Sequence, residues 1–124
     1  MALHCGAIRK ALLAHQDSYF IQNYFHYCRE TPGIGSIPDP GQLLAELRTI
    51  REAGVAFTNS DYVQDAVGIG APVFDAQGRV QAPLGIVLPA VRAQEEIVQA
   101  QLKQMVKQSA AALSTCLGHM PLGL

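Results

Sequence analysis

Two apolar runs, Ala66–Phe74 and Val80–Leu88, are separated by only five residues, Asp75-Ala76-Gln77-Gly78-Arg79. A connection that short, with a glycine to take a positive φ, predicts an antiparallel hairpin. Side chains alternate across a strand, so Val67, Ile69, Ala71 and Val73 fall on one face and Gly68, Gly70 and Pro72 on the other. In the second run Ala82, Leu84, Ile86 and Leu88 share a face, opposite Pro83, Gly85 and Val87. Glycine inside a strand weakens it and marks places where something comes close to the backbone. Gly68, Gly70 and Gly85 on one face would therefore outline a shallow trough. Two readings compete: close packing of a helix on the sheet, or the floor of a small-molecule cleft. The cleft reading requires the glycine-bearing side to look toward the N-terminal helix and leave room between them. Glycines turned to bulk water, or pressed flat under Ile8 with no void, would end the case for sensing.

Upstream of Gly54 the period is helical. Residues 6–15 are good helix formers. Asp17-Ser18 supplies an N-cap for a second, aromatic-rich helix running to about Arg29. Thr31 to Pro38 contains two Pro and two Gly and is expected to be a loop. Asp39 caps a third helix, with Pro40 at its first position, Gln42 where a capping-box partner belongs and Gly54 as its stop. Leu43, Leu44, Leu47 and Ile50 form its buried stripe. Val55-Ala56-Phe57 is a short strand, and Thr58 to Asp65 a polar loop. Such loops commonly just solvate a turn, but pocket polar groups are few and sit at the mouth, so Thr58 and Asp61 are candidates. The last element, about Ala93 to Leu117, carries Val98, Leu102, Met105, Val106, Leu113 and Leu117 at helical spacing. Gly118 ends it, and 119–124 are expected to be a loose tail. The order predicts a single α+β domain over residues 1–124: an antiparallel sheet of about three strands packed with N-terminal helices and a long C-terminal helix.

Composition narrows the function. A formal charge of −1 and a pI near 6.4, with Lys and Arg scattered, offer no footprint for a phosphate backbone. No stretch approaches the roughly 20 apolar residues of a membrane span, and the N-terminus does not resemble a signal peptide. Cys5, Cys28 and Cys116 are odd in number and widely spaced, as expected of free thiols in a reducing cytoplasm. His4-Cys5, His26-x-Cys28 and Cys116-x-x-His119 lack the spacing of a structural zinc site, and neither metal nor cofactor is expected. There is no nucleophile elbow, no phosphate-cradling glycine loop and no His-x-x-x-His pair, so catalysis is not expected either.

Several stretches, taken in order, resemble one family. They are Leu47-Arg-Thr-Ile-Arg-Glu-Ala-Gly-Val-Ala-Phe57, Gly68-Ile-Gly-Ala-Pro-Val-Phe-Asp75, Gly78-Arg-Val80 and Leu117-Gly118, with Leu3-His4 and Lys10-Ala11-Leu12-Leu13-Ala14 upstream. Together they are similar to the effector-binding domains of IclR-type bacterial transcriptional regulators, over nearly the whole chain. The resemblance implies a GAF-like domain that senses a small organic effector, aromatic or carboxylate. The domain would pass its signal to a winged helix-turn-helix through a homodimer or homotetramer. DNA contact would require that winged helix-turn-helix, of which this chain carries no part. Family pocket contacts carried over by position fall on Ala7, Ile8, Thr58, Gly68, Gly85 and Val87; Gly70 and Asp61 join them from strand parity and loop composition.

Departures from the family pattern bear on that pocket. The family's "GAGKA" is Ala7-Ile8-Arg9-Lys10-Ala11 here, so a glycine–alanine surface gains a bulky Ile8 and a charged Arg9. Thiol and hydroxyl side chains common in the strands are replaced by Gly68, Gly85 and Val87, and the glycine after the acidic loop is Asp65. An altered or weakened pocket, more apolar than the typical organic-acid site, is expected, its lost donors to a carboxylate being made good only if Arg9 supplies a bidentate replacement. The alternative is an association-only module with a degenerate pocket. The family's sheet has six strands, and three would leave an open edge, from which self-association is expected.

Overall fold

The computed structural model describes residues 6–30, 39–60 and 64–120. Among them, helices α1 (Ala7–Ala14), α2 (Ser18–Glu30) and α3 (Pro40–Ala53) precede strands β1 (Ala56–Asn59), β2 (Ala66–Phe74) and β3 (Val80–Pro89). A 3₁₀ turn, Ala90–Ala93, then leads into α4 (Glu96–Cys116). The expected loop 31–38 lies outside the described residues, as do Met1–Cys5, Asp61–Val63 and Pro121–Leu124.

Local chemistry places most boundaries. Asp17 Oδ1 accepts from the Phe20 N–H at 2.8 Å, and Asp39 Oδ1 from the Gln42 N–H at 3.0 Å; each satisfies a donor that a helix start leaves orphaned. Gly54 closes α3 at φ 76°, with its N–H on Ile50 O. Gly78 takes φ 78° in the turn between β2 and β3, where no neighbour crowds it.

The sheet is antiparallel in the order β1-β2-β3. Its register pairs Gly70 with both Ala56 and Gly85, Gly68 with Thr58 and Val87, and Pro72 with Pro83. The small residues of all three strands therefore share one face, and Phe57, Val67, Ile69, Ala71, Val73, Leu84, Ile86 and Leu88 share the other. Helix α1 lies on the small-residue face, with α3 behind it, and α4 covers the apolar face. Two cores result. One joins α1, α2 and α3 through Leu13, Tyr24, Leu43, Leu47 and Ile50; the other joins the sheet to α4 through Val67, Ile69, Val106 and Ala110. Lys10, only 5% exposed, ties α1 to α3 by an ion pair with Glu46 at 2.6 Å.

Three boundaries differ from the sequence reading. Strand β1 continues through Thr58 and Asn59, which were expected to open the polar loop. Their partners Gly68 and Val67 extend the ladder that far, and backbone pairing is indifferent to the polar side chains. Helix α4 begins at Glu96, because Ala90–Ala93 form a tighter turn. Its buried side is Val106, Ala110 and Ser114, while Met105, Leu113 and Leu117 are nearly half exposed. Small side chains let the helix sit close on the sheet, which fixes its rotation against the simple apolar count. The tail is held at its first residue: the His119 N–H donates to Ser114 O, and its ring lies 5.1 Å from that of Phe74.

Ser114 also joins α4 to β2. A register shift between Val73 and Phe74 interrupts the ladder, and the Phe74 N–H donates to Ser114 Oγ at 2.9 Å. That hydroxyl in turn donates to Ala110 O at 2.9 Å. Ser114→Ala is expected to strand the Phe74 N–H and cost roughly 1–3 kcal/mol, read as a lower urea midpoint in circular dichroism.

Candidate functional site

The glycine face of the sheet and the first turn of α1 meet directly. A Cβ at Gly70 would stand 2.7 Å from Ile8 Cα and 2.9 Å from Ala7 O; a Cβ at Gly85 would collide with the Ile8 side chain. At Gly68 a Cβ would lie 3.2 Å from Thr58 Oγ1 and 3.3 Å from Ala7 Cβ. The glycines thus do what a strand glycine does best: they let a helix backbone approach the sheet. Of the two readings of the trough, close packing holds at Gly70 and Gly85. The floor there is occupied by α1.

The other sequence candidates fall around this contact. Ala7 is buried and Ile8 half-buried. Thr58 is half-buried beside Gly68. Arg9 is half-buried. Val87 is 62% exposed and pairs with Gly68. Asp61 lies outside the described residues. Asp65, standing where the family has glycine, adopts φ 59°, a left-handed conformation that Asp tolerates better than most residues.

Sequence reasoning missed a second concavity. A groove of about 510 Å³ lies at the opposite end of β2, lined by His15, Arg51, Phe74, Lys107 and His119 among others. Its walls come from separate segments that share no motif. His15 Nδ1 is 2.9 Å from Ala11 O, and its ring meets Phe74 edge-on at 5.6 Å between centroids. Burial lowers the His15 pKa; the Ala11 hydrogen bond opposes this, and the Arg51 charge adds to it. Cys116 is exposed, and no group of three or more metal-ligating side chains occurs among the described residues. No helix among them is long and apolar enough to cross a membrane.

The layered arrangement, a small-residue sheet face under a short N-terminal helix and an apolar face under a long C-terminal one, is that of regulator effector domains. The chain belongs to the IclR family: the model described as "Bacterial transcriptional regulator IclR C-terminal" matches residues 1–115. The HTH-type transcriptional regulator BhcR of Paracoccus denitrificans is 31% identical over 114 residues, covering 91% of this chain and 40% of the relative. The C-terminal domain of the E. coli transcriptional regulator KdgR superposes with a TM-score of 0.80 at 29% identity, over 94% of this chain and 71% of that one. The PobR inducer-binding domain from Acinetobacter, solved as a double mutant with 3-hydroxybenzoic acid, gives a TM-score of 0.76 at 21% identity, over 92% of this chain and 66% of that one. This chain spans less than half the length of BhcR. The relatives it matches are named as regulators of transcription, not as enzymes.

Proposed function

We propose that the chain is the small-molecule-sensing and oligomerising part of an IclR-type transcriptional regulator, working in the cytoplasm. In this reading its signal reaches DNA through a winged helix-turn-helix in the whole regulator. The supporting observation is the convergence of Ala7, Ile8, Thr58, Gly68, Gly70 and Gly85 at one place on the sheet. Because Ile8 fills the trough over Gly70 and Gly85, the effector would enter beside Thr58, Gly68 and Val87; Arg9 and Asp61 remain the polar candidates from the sequence. The effector would contact backbone and methyl groups more than hydroxyls. A small aromatic or short aliphatic acid suits that surface; the double mutant of the PobR inducer-binding domain was solved with such an acid, 3-hydroxybenzoic acid.

The filled trough equally favours a second reading, an association module whose pocket has closed. Ile8→Ala separates the two. It removes the side chain over Gly85 and leaves the α1 backbone in place, at a cost of roughly 2–5 kcal/mol in stability or less where Ile8 is solvated. If the pocket senses, benzoate and short aliphatic acids raise the melting midpoint of the unmodified chain, and those of larger cross-section raise that of Ile8→Ala further. A ligand at 100 times its Kd stabilises by about 2.7 kcal/mol, which a thermal scan resolves readily. A panel that moves neither protein leaves the association module. Light scattering tests association itself: a monomer at high concentration would remove oligomerisation from the proposal.

A further inference from the structure

We propose that the groove walled by His15, Arg51, Lys107 and His119 binds a small oxyanion, a carboxylate or phosphate group. This site is separate from the glycine face and independent of the sensing proposal. The four side chains come from the end of α1, the last turn of α3, the middle of α4 and the residue that follows Gly118. No Asp or Glu lines the groove. Two acids adjoin lining residues along the chain: Glu52, exposed on α3 beside Arg51, and Asp75, engaged in its own turn, where its Oδ1 accepts from the Gln77 and Arg79 N–H groups at 2.9 and 3.1 Å. A concavity lined by Arg51, Lys107 and two histidines, with no carboxylate among its lining residues, is matched to negative charge.

Helix ends explain part of this arrangement. Arg51 Nη1 donates to Gln16 O at 3.3 Å, just past the end of α1. Lys107 reaches Gly54, where a Cβ would lie 3.6 Å from Lys107 Cε, at the end of α3. Cations are favoured at both ends. His15 caps the end of α1 with its Nδ1 on Ala11 O, and His119 follows the end of α4; both rings lie against Phe74, with centroids 5.6 and 5.1 Å from it. The guanidinium of Arg51 keeps donors beyond the one given to Gln16, a fork suited to two oxygens of one ligand. The titratable and charged groups sharing the groove with His15 are Arg51 from α3, Lys107 from α4 and His119. All are bases. Burial and the Arg51 charge lower the His15 pKa; an oxyanion would offset that charge and favour the imidazolium.

The test is a titration of the full chain followed by the imidazole carbon signals of His15 and His119, assigned through His15→Gln and His119→Gln. One arm adds inorganic phosphate, another succinate, and a third potassium chloride at matched ionic strength. The expected result is a saturable shift of His15 with phosphate, succinate or both, and an upward move of its pKa. Lys107→Gln or Arg51→Gln should weaken the response at least about tenfold, the loss typical of a charge-assisted hydrogen bond. Response to one probe alone names the oxyanion. Lys107 is exposed, so its variant remains informative if Arg51→Gln fails to fold. Shifts that follow chloride equally, that never saturate, or that persist in Lys107→Gln would overturn the site.

Discussion

Gly70→Ala is expected to destabilise the chain by about 2 kcal/mol, although it adds a single methyl group. The new Cβ would stand 2.7 Å from Ile8 Cα, a backbone atom that cannot swing aside as a side-chain tip can. Overpacking of this kind costs typically about 1–3 kcal/mol, and a rigid neighbour places the change at the upper end. Replacing glycine also stiffens the unfolded chain, which returns about 0.4–1 kcal/mol. The strain wins. Gly68→Ala supplies the comparison, since its closest neighbours, Thr58 Oγ1 and Ala7 Cβ, stand at 3.2 and 3.3 Å and are side-chain atoms. Urea unfolding followed by circular dichroism should show a clear midpoint loss for Gly70→Ala and a smaller one for Gly68→Ala, with the slope unchanged in both. Equal midpoints would mean that α1 does not rest on the sheet at Gly70.

Ile69→Ala, one residue away and on the opposite face, is expected to cost about 3–4 kcal/mol, within the roughly 2–5 kcal/mol range for emptying a buried isoleucine site. Ile69 is fully buried, lies opposite Phe57 and Ile86 in register, and belongs to the core beneath α4 with Val106 and Ala110. A domain is stable by only about 5–15 kcal/mol in total, so this single truncation removes a large fraction. The same urea experiment reads it. A loss below about 1 kcal/mol, the size of one buried methylene, would mean that α4 does not seal this face. The two neighbours thus probe opposite failures, crowding at one helix contact and a void at the other.

That asymmetry bears on function. A sensing domain needs space somewhere, and the apolar face under α4 offers none at Ile69. The small-residue face carries little side-chain volume in the strands, and α1 occupies it with Ile8. Any effector therefore competes with, or sits beside, a helix turn already seated on Gly70 and Gly85. Ile8→Ala is the direct probe of that competition.

Much of this was legible in the chain. The hairpin followed from a five-residue turn and strict alternation, and its strand limits agree closely with β2 and β3. Alternation alone put Gly68, Gly70 and Gly85 on one face, and the register confirms it. Helix α3 was fixed by Asp39, Pro40 and Gly54, whose effects act within one turn. These features are local, so residue order carries them. Other features needed the folded chain. Whether the glycine face stays open or is filled depends on the distance at which α1 settles, and α1 is far from β2 in sequence. The rotation of α4 answers to fit against the sheet, so Ala110 and Ser114 are buried while Leu113 and Leu117 are not. The groove around Phe74 gathers His15, Arg51, Lys107 and His119 from segments with no shared period. Contacts between distant segments form by shape and volume, and neither leaves a periodic trace along the chain.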